Sequence, residues 1–304
     1  MLTSSYPSTR APIGRRNFLS ALLGVGLLSR GISLASAEEG APLTDRSAQE
    51  ASAAQMKAMQ RRAASLDVRR GKEEPQRIEL VEAALLRYSS PGGDTGTADG
   101  SIWAWGKRGR PAALTAVFFQ RLAGGNEKWS CELLSLSEGP VAVESAAGWK
   151  WTPARSELRW HPVSGAPAVA ENEAERGRQM KDLARRFTAS ATYHEGRTDQ
   201  LRLMIRAIHR YADPDNGLID GAIYAFASGT NPEALLLLEA RSSGGRAAWH
   251  FSFARMGAGT GEARLDDKIV WECPAIKAWE SSGPYFSVFG PDSAVFGAVP
   301  NGGE

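Results

Sequence analysis

The chain has 304 residues, 42% of them hydrophobic and 23% charged, with 36 Lys and Arg against 34 Asp and Glu and two cysteines. Those values exclude a disordered chain, a coiled-coil rod and a disulfide-stapled mini-protein, and the length suits one large domain or two smaller ones. Four of the basic residues, Arg10, Arg15, Arg16 and Arg30, lie near the N-terminus with no acid beside them, so the remaining body is near neutral and gives no electrostatic ground for nucleic acid as a partner.

Residues 1–37 have the layout of a twin-arginine export signal: Gly14-Arg15-Arg16-Asn17-Phe18-Leu19, an apolar run from Leu19 to Leu28, then Ala35-Ser36-Ala37 as a small-x-small cleavage site. The apolar run is about half of what a bilayer span needs, so no transmembrane segment is expected in the mature chain, which is placed in the periplasm or outside the cell. Chains exported this way fold in the reducing cytoplasm, and Cys131 and Cys273 are expected as buried free thiols.

After a linker at 38–47, the sequence repeats itself. Gln55-Met56-Lys57 with Arg61-Arg62 recurs as Gln179-Met180-Lys181 with Arg185-Arg186. Arg87-Tyr88 recurs as Arg210-Tyr211, Asp99-Gly100 through Trp105 as Asp220-Gly221 through Phe226, and Trp129 and Trp151 as Trp249 and Trp271. The offset drifts only from 124 to 120, and each step falls in a stretch where a loop can absorb it. A tandem duplication is therefore expected, with repeat 1 at 48–153, a Pro-rich linker at 154–170, repeat 2 at 171–274 and a tail at 275–304.

Each repeat reads as one helix followed by an antiparallel meander of five or six strands, an α+β class. Residues 48–66 place Met56, Met59 and Ala63 on one stripe, and Glu173 to Phe187 does the same with Met180, Leu183, Ala184 and Phe187. In repeat 2 the expected strands are Leu201 to Tyr211, Gly221 to Ala227, Ala234 to Arg241, Trp249 to Met256, Glu262 to Leu265 and Ile269 to Cys273, divided by turn-forming clusters such as Asp-Pro-Asp-Asn-Gly and Asp-Asp-Lys. Connections this short favour antiparallel neighbours. In the tail, Tyr285, Phe286 and Phe289 are expected to pack back on the body.

The chemistry-bearing residues are sparse. His161, His194, His209 and His250 stand in no metal or triad spacing, and the glycines from Gly257 to Gly261 lack the context of a phosphate loop. Asp213, Asp215 and Asp220 offer alternating carboxylates around a Gly turn, which suits calcium, although Pro-Asp-Asn-Gly is equally an ordinary turn. Arg87, Tyr88, Arg210 and Tyr211 end the first strand of each repeat. They serve either as strand-end anchors or, if the repeats face one another, as the lining of a shared cleft. Trp103, Trp151, Tyr224 and Trp271 likewise read as core or as an aromatic pocket.

Asp220-Gly221, the aromatic strand to Asn231-Pro232 and the turn Asp266-Asp267-Lys268 before Trp271 resemble the periplasmic lipoprotein-carrier (LolA-like) superfamily. That resemblance implies a helix held in an antiparallel half-barrel. The full-length pattern is also similar to exported proteins of planctomycete type. The expected function is a non-enzymatic exported protein that binds a lipid, another apolar small molecule or an envelope protein. The alternatives are a hydrolase or calcium-dependent protein with its site in repeat 2, and a structural envelope component. No cofactor other than calcium is suggested, and the oligomeric state is open.

Overall fold

The computed structural model describes residues 43–90, 96–122, 125–193 and 196–298. The twin-arginine segment, the cleavage motif at 35–37 and His194 lie outside them. The chain divides into the units Met1–Arg46 and Ser47–Glu304, and the second holds the fold described below.

The first half runs α1 (Leu43–Ala64), β1 (Asp67–Arg70), β2 (Gln76–Arg77), β3 (Leu86–Ser90), β4 (Thr97–Trp105), β5 (Ala113–Arg121), β6 (Glu127–Ser135), β7 (Val141–Glu144) and β8 (Lys150–Trp151), with β9 (His161–Pro162) after it. The second half runs α2 (Glu173–Ala184), β10 (Phe187–Thr192), β11 (Thr198–Leu203), β12 (His209–Asp213), β13 (Leu218–Ser228), β14 (Asn231–Ser243), β15 (Arg246–Arg255), β16 (Thr260–Leu265) and β17 (Lys268–Cys273). It is followed by β18 (Tyr285–Gly290) and a short α3 (Asp292–Phe296). The protein is α+β, mostly antiparallel sheet.

Three sheets result, in the orders β2-β1-β7-β8, β18-β6-β5-β4-β3 and β17-β16-β10-β11-β13-β14-β15-β9, with β12 also on β13. The largest curls about α2 as a half-barrel, its strands closing on Met180, Leu183 and Ala184. Two pairings cross between the halves: β9, which follows the first half, adds to β15 of the second, and β18, which follows the second, adds to β6 of the first.

Strict alternation along the central strands explains their continuous hydrophobicity. Trp103, Val117, Phe119 and Leu133 face α1, whereas Ile102, Leu114, Ala116, Phe118 and Leu134 face the other sheet. In the second half, Tyr224, Phe226, Leu236 and Leu238 face α2, while Ile223, Ala225, Leu235 and Leu237 meet the first half. The two meanders thus pack back to back over a shared core, each with a helix on its outer face.

Several boundaries differ from the sequence expectation. Among the described residues each half has eight strands rather than five or six. The stretch Leu201 to Tyr211 is two strands, because Met204 and Ile208 both bond to β13, through the carbonyls of Ala225 and Ile223 at 2.8 Å each, and the residues between them loop out. Phe187 opens β10 opposite Leu265 instead of closing α2, yet its ring still joins the core beneath that helix. The expected linker contributes β9, and the tail contributes β18 and α3, whose Val295 and Phe296 are fully buried against the α1 side. Asp266 and Asp267 take positive φ values of 47° and 66° in the tight turn between β16 and β17, as expected of that turn chemistry. Both cysteines are buried and free.

Candidate functional site

The two Arg-Tyr pairs occupy matching positions. Tyr88 is registered opposite Gly100 and Tyr211 opposite Gly221. Each ring lies so close to its glycine that a Cβ would fall 2.7 Å from Tyr88 or 2.6 Å from Tyr211. Each arginine takes the neighbouring aspartate. Arg87 holds both oxygens of Asp99 at 2.9 and 2.5 Å and donates to Ser52 of α1. Arg210 donates to Asp220 at 2.6 Å and pairs with Glu173 of α2. Asp220, nearly buried, also accepts from Arg176 of α2 at 2.9 Å. These arginines fasten helix to sheet. Arg87 and Tyr88 border one shallow cavity whose lining includes neither Arg210 nor Tyr211.

The aromatic candidates are dispersed through separate cores. Trp103 and Trp151 lie in the α1 core, where their ring nitrogens donate to Ser101 at 2.9 Å and to the Gly283 carbonyl at 2.7 Å. Tyr224 lies in the α2 core, and burial raises its phenol to about 12. Trp271 stacks on Phe253 at 5.5 Å at the edge of that core. The three aspartates are not brought together either. Asp213 and Asp215 share Arg108 of the first half, at 3.1 Å for Asp213, while Asp220 is held by Arg176 and Arg210. Among the described residues no group of three or more His, Cys, Asp or Glu is placed to hold a metal.

Two cavities open at equivalent places between the meanders. In one, Leu136 donates to the Ala112 carbonyl at 2.9 Å; in the other, Met256 donates to the Glu233 carbonyl at 2.8 Å. The first, of about 600 Å³, is lined by Arg70, Arg108, Arg110, Arg241, Glu138 and Glu239 among others. Glu239 is 1% exposed and fully answered: it accepts from Tyr211 at 2.8 Å and from Arg241 at 2.6 Å, with Arg110 at 3.6 Å. Trp160 lies against the guanidiniums of both Arg241 and Arg110.

The second cavity, of about 450 Å³, has the opposite character. Phe118, Met256, Ile276, Trp279, Tyr285 and Phe289 dominate its lining, and no Lys or Arg is among the residues that form it. Trp279 is 69% and Phe289 61% exposed, unusual for large apolar side chains on an otherwise well-packed body. Glu132 projects from β6 into this setting and Glu233 comes from β14. Glu132 keeps some accessible surface, as a cavity-lining group does, yet loss of water pushes its carboxyl up to about 7, offset only in part by a hydrogen bond from the Tyr285 hydroxyl. A side chain on Gly257 would collide with the Glu233 carboxylate at 2.6 Å, so the backbone there is bare where the carboxylate passes.

Sequence reasoning flagged Tyr285 and Phe289 only as tail aromatics and missed Glu132, Met256, Ile276 and Trp279. The available signal was Glu132 itself, a carboxylate in the apolar run Trp129 to Leu134, in phase with residues that face the shared core. No protein-family model, curated protein or solved structure matches the chain.

Proposed function

We propose that this is an exported, non-enzymatic binding protein that holds an apolar small molecule, of lipid or comparable character, in the cavity between the two meanders. The carrying observation is that cavity: about 450 Å³, within the usual range for small-molecule sites, aromatic and aliphatic in lining, with Trp279 and Phe289 left accessible. The earlier candidates, from Arg87 to Trp271, act in this reading as anchors and core, and the binding role passes to residues of the shared core and the tail.

The two halves are inferred to be copies of one ancestral unit. In support, β1 pairs with β2 and β7 as β10 pairs with β11 and β16, and the meander β3 to β6 is matched strand for strand by β12 to β15. The reciprocal placement of β9 and β18 is what a fused dimer with exchanged C-terminal strands would leave. On this account the unit had one end cavity, the duplication has two, and they have diverged: one is lined with ion pairs and the other with apolar side chains. Twin-arginine export places the carrier outside the cytoplasm.

The test uses N-phenylnaphthylamine, a neutral apolar dye that fluoresces when shielded from water. The protein is expected to bind it, and Ala278→Trp, which fills the cavity from its wall, is expected to weaken binding at least tenfold while moving the unfolding midpoint by only a few degrees. Equal binding by both proteins overturns the assignment to this cavity.

A further inference from the structure

Resting on that reading of the apolar cavity, we propose that its ligand is an amphipathic cation, an alkyl chain or ring system bearing a protonated amine or quaternary ammonium group that sits against Glu132.

The contrast between the two end cavities carries this assignment. Each contains a carboxylate on an inward strand position beside a tyrosine. At the first end the protein itself supplies the positive charge, through Arg241 at 2.6 Å and Arg110 at 3.6 Å from Glu239. At the second end, Glu132 has the Tyr285 hydroxyl and no cation within ion-pair distance among the described residues. Burying a carboxylate without a counter-charge is costly, and a cation brought by a ligand would lower that cost. The other ionisable groups that face Glu132 are Tyr88 from β3 and Tyr285 from β18. Both are fully buried, and their hydroxyls are held protonated by burial and by the nearby Glu132 and Glu233 carboxylates. Tyr285 donates a hydrogen bond to Glu132, and neither tyrosine brings it a positive charge.

The walls fit the same chemistry. Phe118, Tyr285, Trp279 and Phe289 line the cavity together with Glu132, and an ammonium group is attracted to aromatic ring faces. Phe289 already has the Lys128 ammonium 4.2 Å from its ring centre, so this ring takes a cation on one side within the protein itself. The aliphatic remainder of the ligand would lie along Met256, Ile276 and Ala278. A carboxylate- or phosphate-bearing lipid would instead bring a further negative charge beside Glu132.

Isothermal titration with decylamine, decanol and decanoate decides it. Decylamine is expected to bind at least tenfold more tightly than decanol, with decanoate weakest. Glu132→Gln is expected to erase the advantage of the amine while leaving decanol affinity within threefold, which also shows that the variant is folded. Equal binding of decylamine and decanol to the wild-type protein overturns the cation assignment and leaves the apolar site standing. Binding of none of the three overturns both. A preference for the amine that survives Glu132→Gln removes Glu132 from the site and overturns the proposal as stated.

Discussion

Tyr211 lies across Gly221, its partner in the strand register, so closely that a single added methyl would stand 2.6 Å from the ring. The same relation joins Tyr88 to Gly100. Both tyrosines belong to the core between the meanders, so displacing either ring disturbs the surface on which the two halves meet. Gly221→Ala and Gly100→Ala are each expected to cost about 1 to 3 kcal/mol, the usual penalty for overpacking. Chemical denaturation of the two variants checks this, and a change below about 0.5 kcal/mol in both would contradict the packing described.

Ion pairs of similar appearance should differ sharply in worth. Asp220 is 4% exposed and bound by two arginines, so Asp220→Ala leaves Arg176 and Arg210 without their carboxylate at the junction of α2 and the sheet; a loss of about 3 to 5 kcal/mol is expected. Arg108 lies mostly in solvent beside Asp213 and Asp215, and Arg108→Ala should change stability far less than Asp220→Ala does. Denaturant unfolding of both variants side by side tests the order.

Calcium should have little purchase on the Asp213–Asp215 turn, because Arg108 already supplies the positive charge and Asn216 donates to Asp213 at 2.6 Å. Millimolar calcium is expected to leave the thermal midpoint of the wild-type protein unchanged. A rise of several degrees that disappears in Asp213→Ala would show a calcium site.

The buried carboxyl gives stability a characteristic pH dependence. Glu132 has its folded-state value raised from 4.5 to about 7 by burial, so between those limits the folded chain binds more protons than the unfolded one. Its contribution is therefore fully present below pH 4.5, declines as the pH rises and is lost above about 7, a change on the order of 3 kcal/mol. Glu132→Gln should flatten this part of the profile, gaining stability relative to wild type at pH 8 and little at pH 4.5. Unfolding curves at both pH values check the sign; a wild-type advantage that grows toward pH 8 would contradict it.

The helices α1 and α2, the strand-rich halves and most turns were legible because each depends on local signals, whereas α3 was not foreseen. Met180, Leu183 and Ala184 mark a helix stripe, and Asp266-Asp267 marks a tight turn whatever lies around it. The division of Leu201 to Tyr211 was not legible, since nothing in its composition says that Met204 and Ile208 bond to the same strand. The Arg-Tyr motifs stood out in the sequence, where they read either as strand-end anchors or as the lining of a cleft. Pairing across the sheet supports the anchor reading: glycine makes room for the ring and aspartate receives the guanidinium. The cavity escaped notice for the complementary reason. Phe118, Glu132, Met256 and Trp279 come from distant stretches and share no motif, and only the packing of one meander on the other, with the tail folded back, brings them together.

Native mass spectrometry of the protein, purified without denaturation from the exported fraction of its own cells, tests the central claim most directly. The account predicts one small molecule retained per chain, lost on unfolding and absent from the Ala278→Trp variant prepared in the same way. Wild-type and cavity-filled proteins that each show only the mass of their own bare chain would contradict it.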